Sequence, residues 1–189
     1  MGVPKLLLPW GSGLLIDHVL EAWTASGVDH VVVVVRQDDD ALAEVCSHHG
    51  VRMIHPAQDP EDMKESIQCG LRDLELVFKP RAGDRCFIAP ADLPNLSTVI
   101  IDRLIATEAD RDTIVVPQYG DRQGHPALVP WPMTAEIFRL GADEGVDRVV
   151  ERHAKRAVGF PAGDLVVDVD TPQEYQRLRQ AADRPGLDN

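Results

Sequence analysis

The sequence predicts an α/β domain built on a largely parallel sheet, and three observations point there. Short β-branched runs alternate along the chain with segments of helical period. The clearest run, residues 31–35, is five valines in a row, as expected of a strand covered by helices on both faces. The 189 residues suffice for one sizeable core and are too few for two comfortable domains.

The elements follow in order. Ile16, Val19, Leu20 and Trp23 recur at i, i+3, i+4 and i+7 and form one apolar helical stripe. Strands are expected at 31–35 and 51–54. Met63, Ile67, Leu71 and Leu74 mark a second helix ending near Val77. A strand at 86–89 leads to a helix capped by Ser97 and carrying Ile100, Ile101, Leu104 and Ile105. Further strands are expected at 113–116 and 165–169. The last helix has the best start signal: Thr171 as N-cap, Pro172 in the first turn and Glu174 closing a capping box, with Tyr175 and Leu178 facing inward. Residues 1–181 read as one domain without repeats or linker, and 182–189, with Arg184-Pro185-Gly186, as a flexible tail.

Composition narrows the function. Hydrophobic residues at 44% and charged residues at 26% are the balance of a soluble globular protein. No apolar run approaches the roughly 20 residues that cross a bilayer. Lys5 is followed only by Leu6, Leu7 and Leu8 before Pro9, too little for a signal peptide, so a cytoplasmic protein is expected. Cys46, Cys69 and Cys86 are widely spaced and odd in number, which fits neither a disulfide framework nor a zinc site and suggests a reducing compartment. A net charge of -12 argues against nucleic acid and anionic lipid as partners. A phosphorylated small molecule stays open, provided a metal ion and a few local cations offset the background repulsion.

Acidic residues sit where such a site would need them. Asp92 lies just beyond the apolar run Cys86-Phe87-Ile88-Ala89, and Asp168 and Asp170 lie at the end of Leu165-Val166-Val167. Ligands of open α/β sheets bind outside the carboxyl ends of the strands, so two strands would deliver carboxylates to one edge. Hard divalent cations such as magnesium take carboxylate oxygens together with substrate phosphates. Each aspartate alone serves equally well as a turn or helix cap. Gly11-Ser12-Gly13 has no third glycine and no following Lys-Ser/Thr, so it reads as a turn and not as a dinucleotide or phosphate loop. His48-His49 lacks metal-ligand spacing.

Several segments, in order, resemble the MobA-like nucleotidyltransferases, which attach CMP or GMP to the pterin of the molybdenum cofactor. Met1-Gly2-Val3-Pro4-Lys5-Leu6-Leu7-Leu8-Pro9 is similar to the end of that family's N-terminal signature. The stretch from Met63 through Ser66 to Gly70-Leu71 resembles its helix-opening segment, and Asp92-Leu93-Pro94 its metal-binding motif. Gly124-His125-Pro126 matches its turn, Leu140-Gly141-Ala142-Asp143-Glu144-Gly145 the segment after it, and Asp168-Val169-Asp170-Thr171-Pro172 its closing motif. The cytidylyltransferase branch looks closest.

The resemblance implies a Rossmann-like three-layer α/β/α fold and a nucleotidyltransferase whose substrates are CTP or GTP and a phosphorylated acceptor. It implies magnesium on Asp92, Asp168 and Asp170, with Lys5 and Asp92 as the catalytic pair. Lys5, Gly2, Ser66, Gly124 and His125 would contact nucleotide or acceptor, with Arg122 as a candidate second phosphate cation. A homodimer or a molybdoenzyme partner is the protein association it suggests. Two alternatives stay open: a non-catalytic family member acting as a nucleotide- or partner-binding module, and a nucleotidyltransferase using a sugar phosphate. The family's first strand and Gly-rich loop would precede Met1, so the expected sheet lacks its first strand. The gap could be closed by an upstream start, by direct pairing of the neighbouring strands, or by a second copy.

Overall fold

In the computed structural model, which describes residues 4–166, 169 and 171–182, the chain begins with a 3-10 turn over Lys5–Leu7. A small hairpin of β1 (Pro9–Trp10) and β2 (Gly13–Leu14) follows. Gly11 turns it with φ +55, a conformation a side chain would strain. Helix α1 (Leu15–Thr24) buries Ile16, Val19, Leu20 and Trp23, the stripe expected from their spacing. Strand β3 (Val32–Val34), helix α2 (Asp40–Ser47) and strand β4 (Arg52–Ile54) form a crossover unit in which β3 and β4 pair in parallel.

Helix α3 (Met63–Phe78) is capped by Asp62, whose carboxylate accepts from the Glu65 amide at 2.8 Å. It stops at Lys79, which takes the left-handed conformation (φ 52) before Pro80. Then come β5 (Arg85–Ile88), α4 (Thr98–Ile105) with Ser97 as its cap, β6 (Ile114–Tyr119), β7 (Arg122–Gln123) and β8 (Ala127–Pro130). A 3-10 stretch over Trp131–Arg139 leads to α5 (Asp147–Arg152), β9 (Lys155–Phe160) and α6 (Pro172–Ala182). Residues 183–189, within the expected tail, lie outside the described residues.

Among the described residues the larger sheet runs β5-β8-β6, with β9 parallel to β6 and β7 as a short hairpin partner. Strand β8 is antiparallel to both neighbours, so it runs, like the short β7, against the direction that β5, β6 and β9 share. Side chains alternate across the sheet as the pleat requires. Phe87, Val115, Leu128 and Val158 pack with α1 and α4, and Ile88, Val116 and Val129 face the layer that holds Met133. Helix α3, the 3-10 stretch and α5 join that second layer through Leu71, Ile137 and Val149. This is the α/β/α layering expected.

Two expectations need correction. Leu165 and Val166 carry no strand, and neither does Val169; the strand in that part of the chain is β9, which the sequence reading passed over. Its residues are buried only at Val158 and Phe160, so an edge strand with one buried face shows little apolar signal. Leu165, Val166 and Val169 are apolar because they pack into the core, where Val166 and Val169 are buried. The neighbouring strands also do not close the expected gap by pairing directly: β3 and β5 belong to separate sheets.

Candidate active site

Asp92 stands just past the carboxyl end of β5, in a turn that two leucines hold down. Leu93 and Leu96 are fully buried, and the Leu96 amide donates to the Leu93 carbonyl at 3.0 Å. Such anchoring leaves the intervening backbone little freedom to move Asp92 away from the sheet edge. Lys5 reaches it from the N-terminal 3-10 turn, where Leu6 and Leu7 pack into the apolar clusters. Its ammonium forms an ion pair with one oxygen of the Asp92 carboxylate. The other oxygen, Oδ1, is buried without a hydrogen-bond partner among the described residues.

A buried carboxylate oxygen lacking a donor is unfavourable unless a cation or water meets it. A hard divalent ion, which takes carboxylate oxygens at short range, fits that atom. Among the described residues no group of three His, Cys, Asp or Glu side chains could enclose a metal. Asp168 and Asp170, the other two expected ligands, lie outside the described residues, as does Gly2.

The chain between those two aspartates nevertheless meets Asp92. Val169 donates its amide to the Asp92 carbonyl at 3.3 Å, and the Asn95 side chain donates to the Leu165 carbonyl. Thr171 and Glu174 then form the expected capping box, with the Glu174 amide 3.1 Å from the Thr171 hydroxyl and the Thr171 amide 2.9 Å from the Glu174 carboxylate. Tyr175 extends the link by donating its hydroxyl to the Pro9 carbonyl. The N-terminal turn, the Asp92 turn and the closing segment are therefore fastened to one another.

Gly124 lies against the same segment. A Cβ there would sit 3.2 Å from the Tyr119 ring and 3.7 Å from the Val166 carbonyl, so only a glycine allows so close an approach without a shift. His125 follows, joined to Pro126 by a cis peptide. Arg122 is exposed in the β6–β7 hairpin opposite Tyr119. Ser66, in the first turn of α3, lines the same cavity as Lys5 and Asp92. Its hydroxyl donates to the Asp62 carbonyl at 3.2 Å. Glu61, Asp62 and Glu65 crowd this helix start, which offsets the attraction a helix N-terminus has for anions.

Three positioning contacts escaped the sequence reading. Lys64 donates to the carbonyls of Gly141 and Ala142 at 2.7 and 2.9 Å, and Gln68 to that of Ile137 at 3.0 Å. Lys64 thus ties the Leu140–Gly145 motif to α3, and Gln68 ties in the 3-10 stretch before it. Asn95 was the more legible of the missed residues, since an amide after Asp-Leu-Pro often closes a turn. The cysteines behave as expected of small apolar side chains. All three are free thiols; burial pushes Cys46 up to about 11 and Cys86 up to about 12, so neither is nucleophilic near neutral pH.

Residues 1–157 match the MobA-like NTP transferase domain. The chain belongs to that family. It is accordingly a nucleotidyltransferase, with the Rossmann-like fold of that group. Over 175 residues this family member is 18% identical to the molybdenum cofactor cytidylyltransferase of Escherichia coli K12, covering 93% of this chain and 86% of the relative. Over 172 residues it is 28% identical to the phosphoenolpyruvate guanylyltransferase of Sphaerobacter thermophilus, covering 87% and 76%. The crystal structure of Rv0371c of Mycobacterium tuberculosis H37Rv in complex with manganese superposes with a TM-score of 0.74 at 26% identity, over 95% of this chain and 93% of that one. No helix among the described residues is long and apolar enough to cross a membrane.

Proposed function

We propose that this MobA-like transferase moves CMP or GMP from the corresponding triphosphate to a phosphorylated acceptor of the molybdopterin type. The Asp92 carboxylate carries the reading. One oxygen is held by Lys5, and the other is buried without a donor among the described residues. In the reaction an oxygen of the acceptor's terminal phosphate bonds to the α-phosphorus. The bond from that phosphorus to the bridging oxygen breaks, and pyrophosphate leaves with the electron pair. No covalent enzyme intermediate is needed, so the protein's part is alignment and charge neutralisation.

Lys5 supplies a compact positive charge to the triphosphate, giving up part of its contact with Asp92. Asp92, with Asp168 or Asp170, would hold magnesium, which when bound acts as a Lewis acid on phosphate oxygens. Ser66, Gly124, His125 and Gly2 would line the nucleotide and acceptor. The structural neighbour solved in complex with manganese supports a divalent metal here. The three free thiols fit the reducing cytoplasm.

A second reading rests on the 28% identity to a phosphoenolpyruvate guanylyltransferase: the same transfer onto a small phosphate, such as a sugar phosphate or an enol phosphate. Pyrophosphate release from magnesium-CTP and magnesium-GTP against a panel of pterin, sugar and enol phosphates separates the two. Release with a pterin phosphate alone supports the first, and release with a small phosphate alone supports the second. Silence with every pair would overturn both.

A further inference from the structure

Among the described residues, two buried side-chain oxygens have no hydrogen-bond partner: Asp92 Oδ1 and the Tyr119 hydroxyl. A divalent cation accounts for the first; nothing in the proposed transfer uses the second. A buried hydroxyl without a partner is unfavourable, and a phenylalanine of nearly the same shape would avoid that cost. Tyr119 is the last residue of β6 and only 3% exposed, so bulk water does not serve its hydroxyl.

The surroundings of Tyr119 show what the hydroxyl could meet. Its ring packs on Phe160, its partner in the register of β6 and β9, with centroids 5.6 Å apart. Gly124 lies against the ring as well. A Cβ there would sit 3.2 Å from the ring and 3.7 Å from the Val166 carbonyl, so the ring edge and the Val166 backbone border one small space. The acidity of the phenol agrees: burial pushes Tyr119 up to about 12, and the Val166 backbone pulls against that rise. The two groups are neighbours, yet no hydrogen bond of ordinary geometry joins them.

Three residues beyond Val166, the Val169 amide donates to the Asp92 carbonyl at 3.3 Å, just past the usual upper limit of about 3.2 Å. One end of this short stretch therefore meets Tyr119 and the other meets Asp92. Three residues of chain span at most about 11 Å, so a small displacement at Asp92 is felt at Val166. Asp168 and Asp170 flank Val169 in the sequence. A cation shared between either of them and Asp92 would draw the stretch inward.

We propose that Tyr119 is a positioning residue of the metal site: its hydroxyl closes a hydrogen bond with the Val166 backbone as a divalent cation binds at Asp92, a role that rests on the reading of Asp92 as the metal-holding carboxylate. A group that is unfavourable in the free protein and favourable in the bound one raises affinity through both states.

The test compares Tyr119→Phe with the parent in manganese(II) alone, with the free ion followed by electron paramagnetic resonance. Manganese affinity should fall about tenfold, as expected for one buried hydrogen bond. Without metal, the melting temperature should stay level or rise by roughly a few degrees, since the variant removes an unpaired polar atom. A purely structural hydroxyl would not give that pair of results, because its loss lowers stability and leaves affinity alone. A second measurement reads the bond itself. The chain has 2 tyrosines, so in Tyr175→Phe the ultraviolet resonance Raman tyrosine doublet belongs to Tyr119. It should change when manganese is added, and should not change when Asp92→Asn is combined with Tyr175→Phe.

An affinity loss below about threefold, a doublet indifferent to manganese, or a melting temperature well below that of the parent overturns the proposal and leaves the metal role of Asp92 standing. Failure of the parent itself to bind manganese overturns both.

Discussion

The backbone amide of Val169 donates to the backbone carbonyl of Asp92 at 3.3 Å, joining the chain between the two closing aspartates to the aspartate that follows β5. Val169 is fully buried, so the contact lies in the core and not on a mobile surface. On the other side of Asp92 sits the Lys5 ammonium. Three remote stretches of sequence thus meet at one residue, Lys5 on its carboxylate and Val169 on its backbone carbonyl.

Replacing that carboxylate should remove catalysis while sparing the fold. Asp92→Asn keeps the shape and the backbone contact to Val169 but loses the charge that a divalent ion and Lys5 both use. Pyrophosphate release should fall by at least about 100-fold, with a melting temperature within a few degrees of the parent. Lys5→Ala should lower kcat/KM by about 10- to 100-fold, with Lys5→Arg recovering part of it. Turnover by Asp92→Asn within twofold of the parent would remove this residue from the mechanism.

Asn95 should matter for position and not for chemistry. Its side chain donates to the Leu165 carbonyl, which is the second tie between the Asp92 turn and the closing segment. Asn95→Ala should cost about 1 kcal/mol in urea denaturation. Amide exchange at Leu165 and Val166 should accelerate, and that at Ile114 and Val115 should stay as it was. Unchanged exchange at Leu165 would show that the tie is dispensable.

The start of α1 should be acid-sensitive. Burial alone would raise the Asp17 carboxyl, but the His49 ring at 2.7 Å and the Leu14 amide at 2.9 Å outweigh it and hold Asp17 below its ordinary value of 3.8. A group depressed on folding stabilises above its unfolded value, and that stability fades as pH falls through the folded one. Asp17→Asn should therefore lower stability by about 0.5–1 kcal/mol at pH 6–7. The two proteins should converge as pH drops below the usual carboxylate range. Melting curves at several pH values measure this, and a gap that widens toward acid would reverse the sign.

Helix α3 ends on a residue poorly suited to its conformation. Lys79 is exposed, with φ 52, where a Cβ crowds the following carbonyl. Lys79→Gly relieves that crowding at the cost of a more flexible unfolded chain, and the balance should favour the variant by about 0.5–1 kcal/mol. Chemical denaturation of the two proteins decides it, and equal midpoints would show the strain to be negligible.

The elements readable from the sequence were those whose signal is carried by near neighbours. The stripe on α1, the Ser97 cap, and the Thr171 and Glu174 capping box depend on residues three or four apart, and each formed where expected. Lys5 and Asp92 stood out as motif residues, and the structure brings them into contact. What tertiary structure alone decided was pairing and burial at long range. Leu165 and Val166 are as apolar as a strand, but they pack against the core instead of joining a ladder, while β9 forms from a run with only one buried face. The reversed insertion of β8 has no local trace either. Hydrophobic period and capping are settled within a helical turn, but which edge a strand meets depends on how the whole chain closes, and no window of neighbouring residues contains that information.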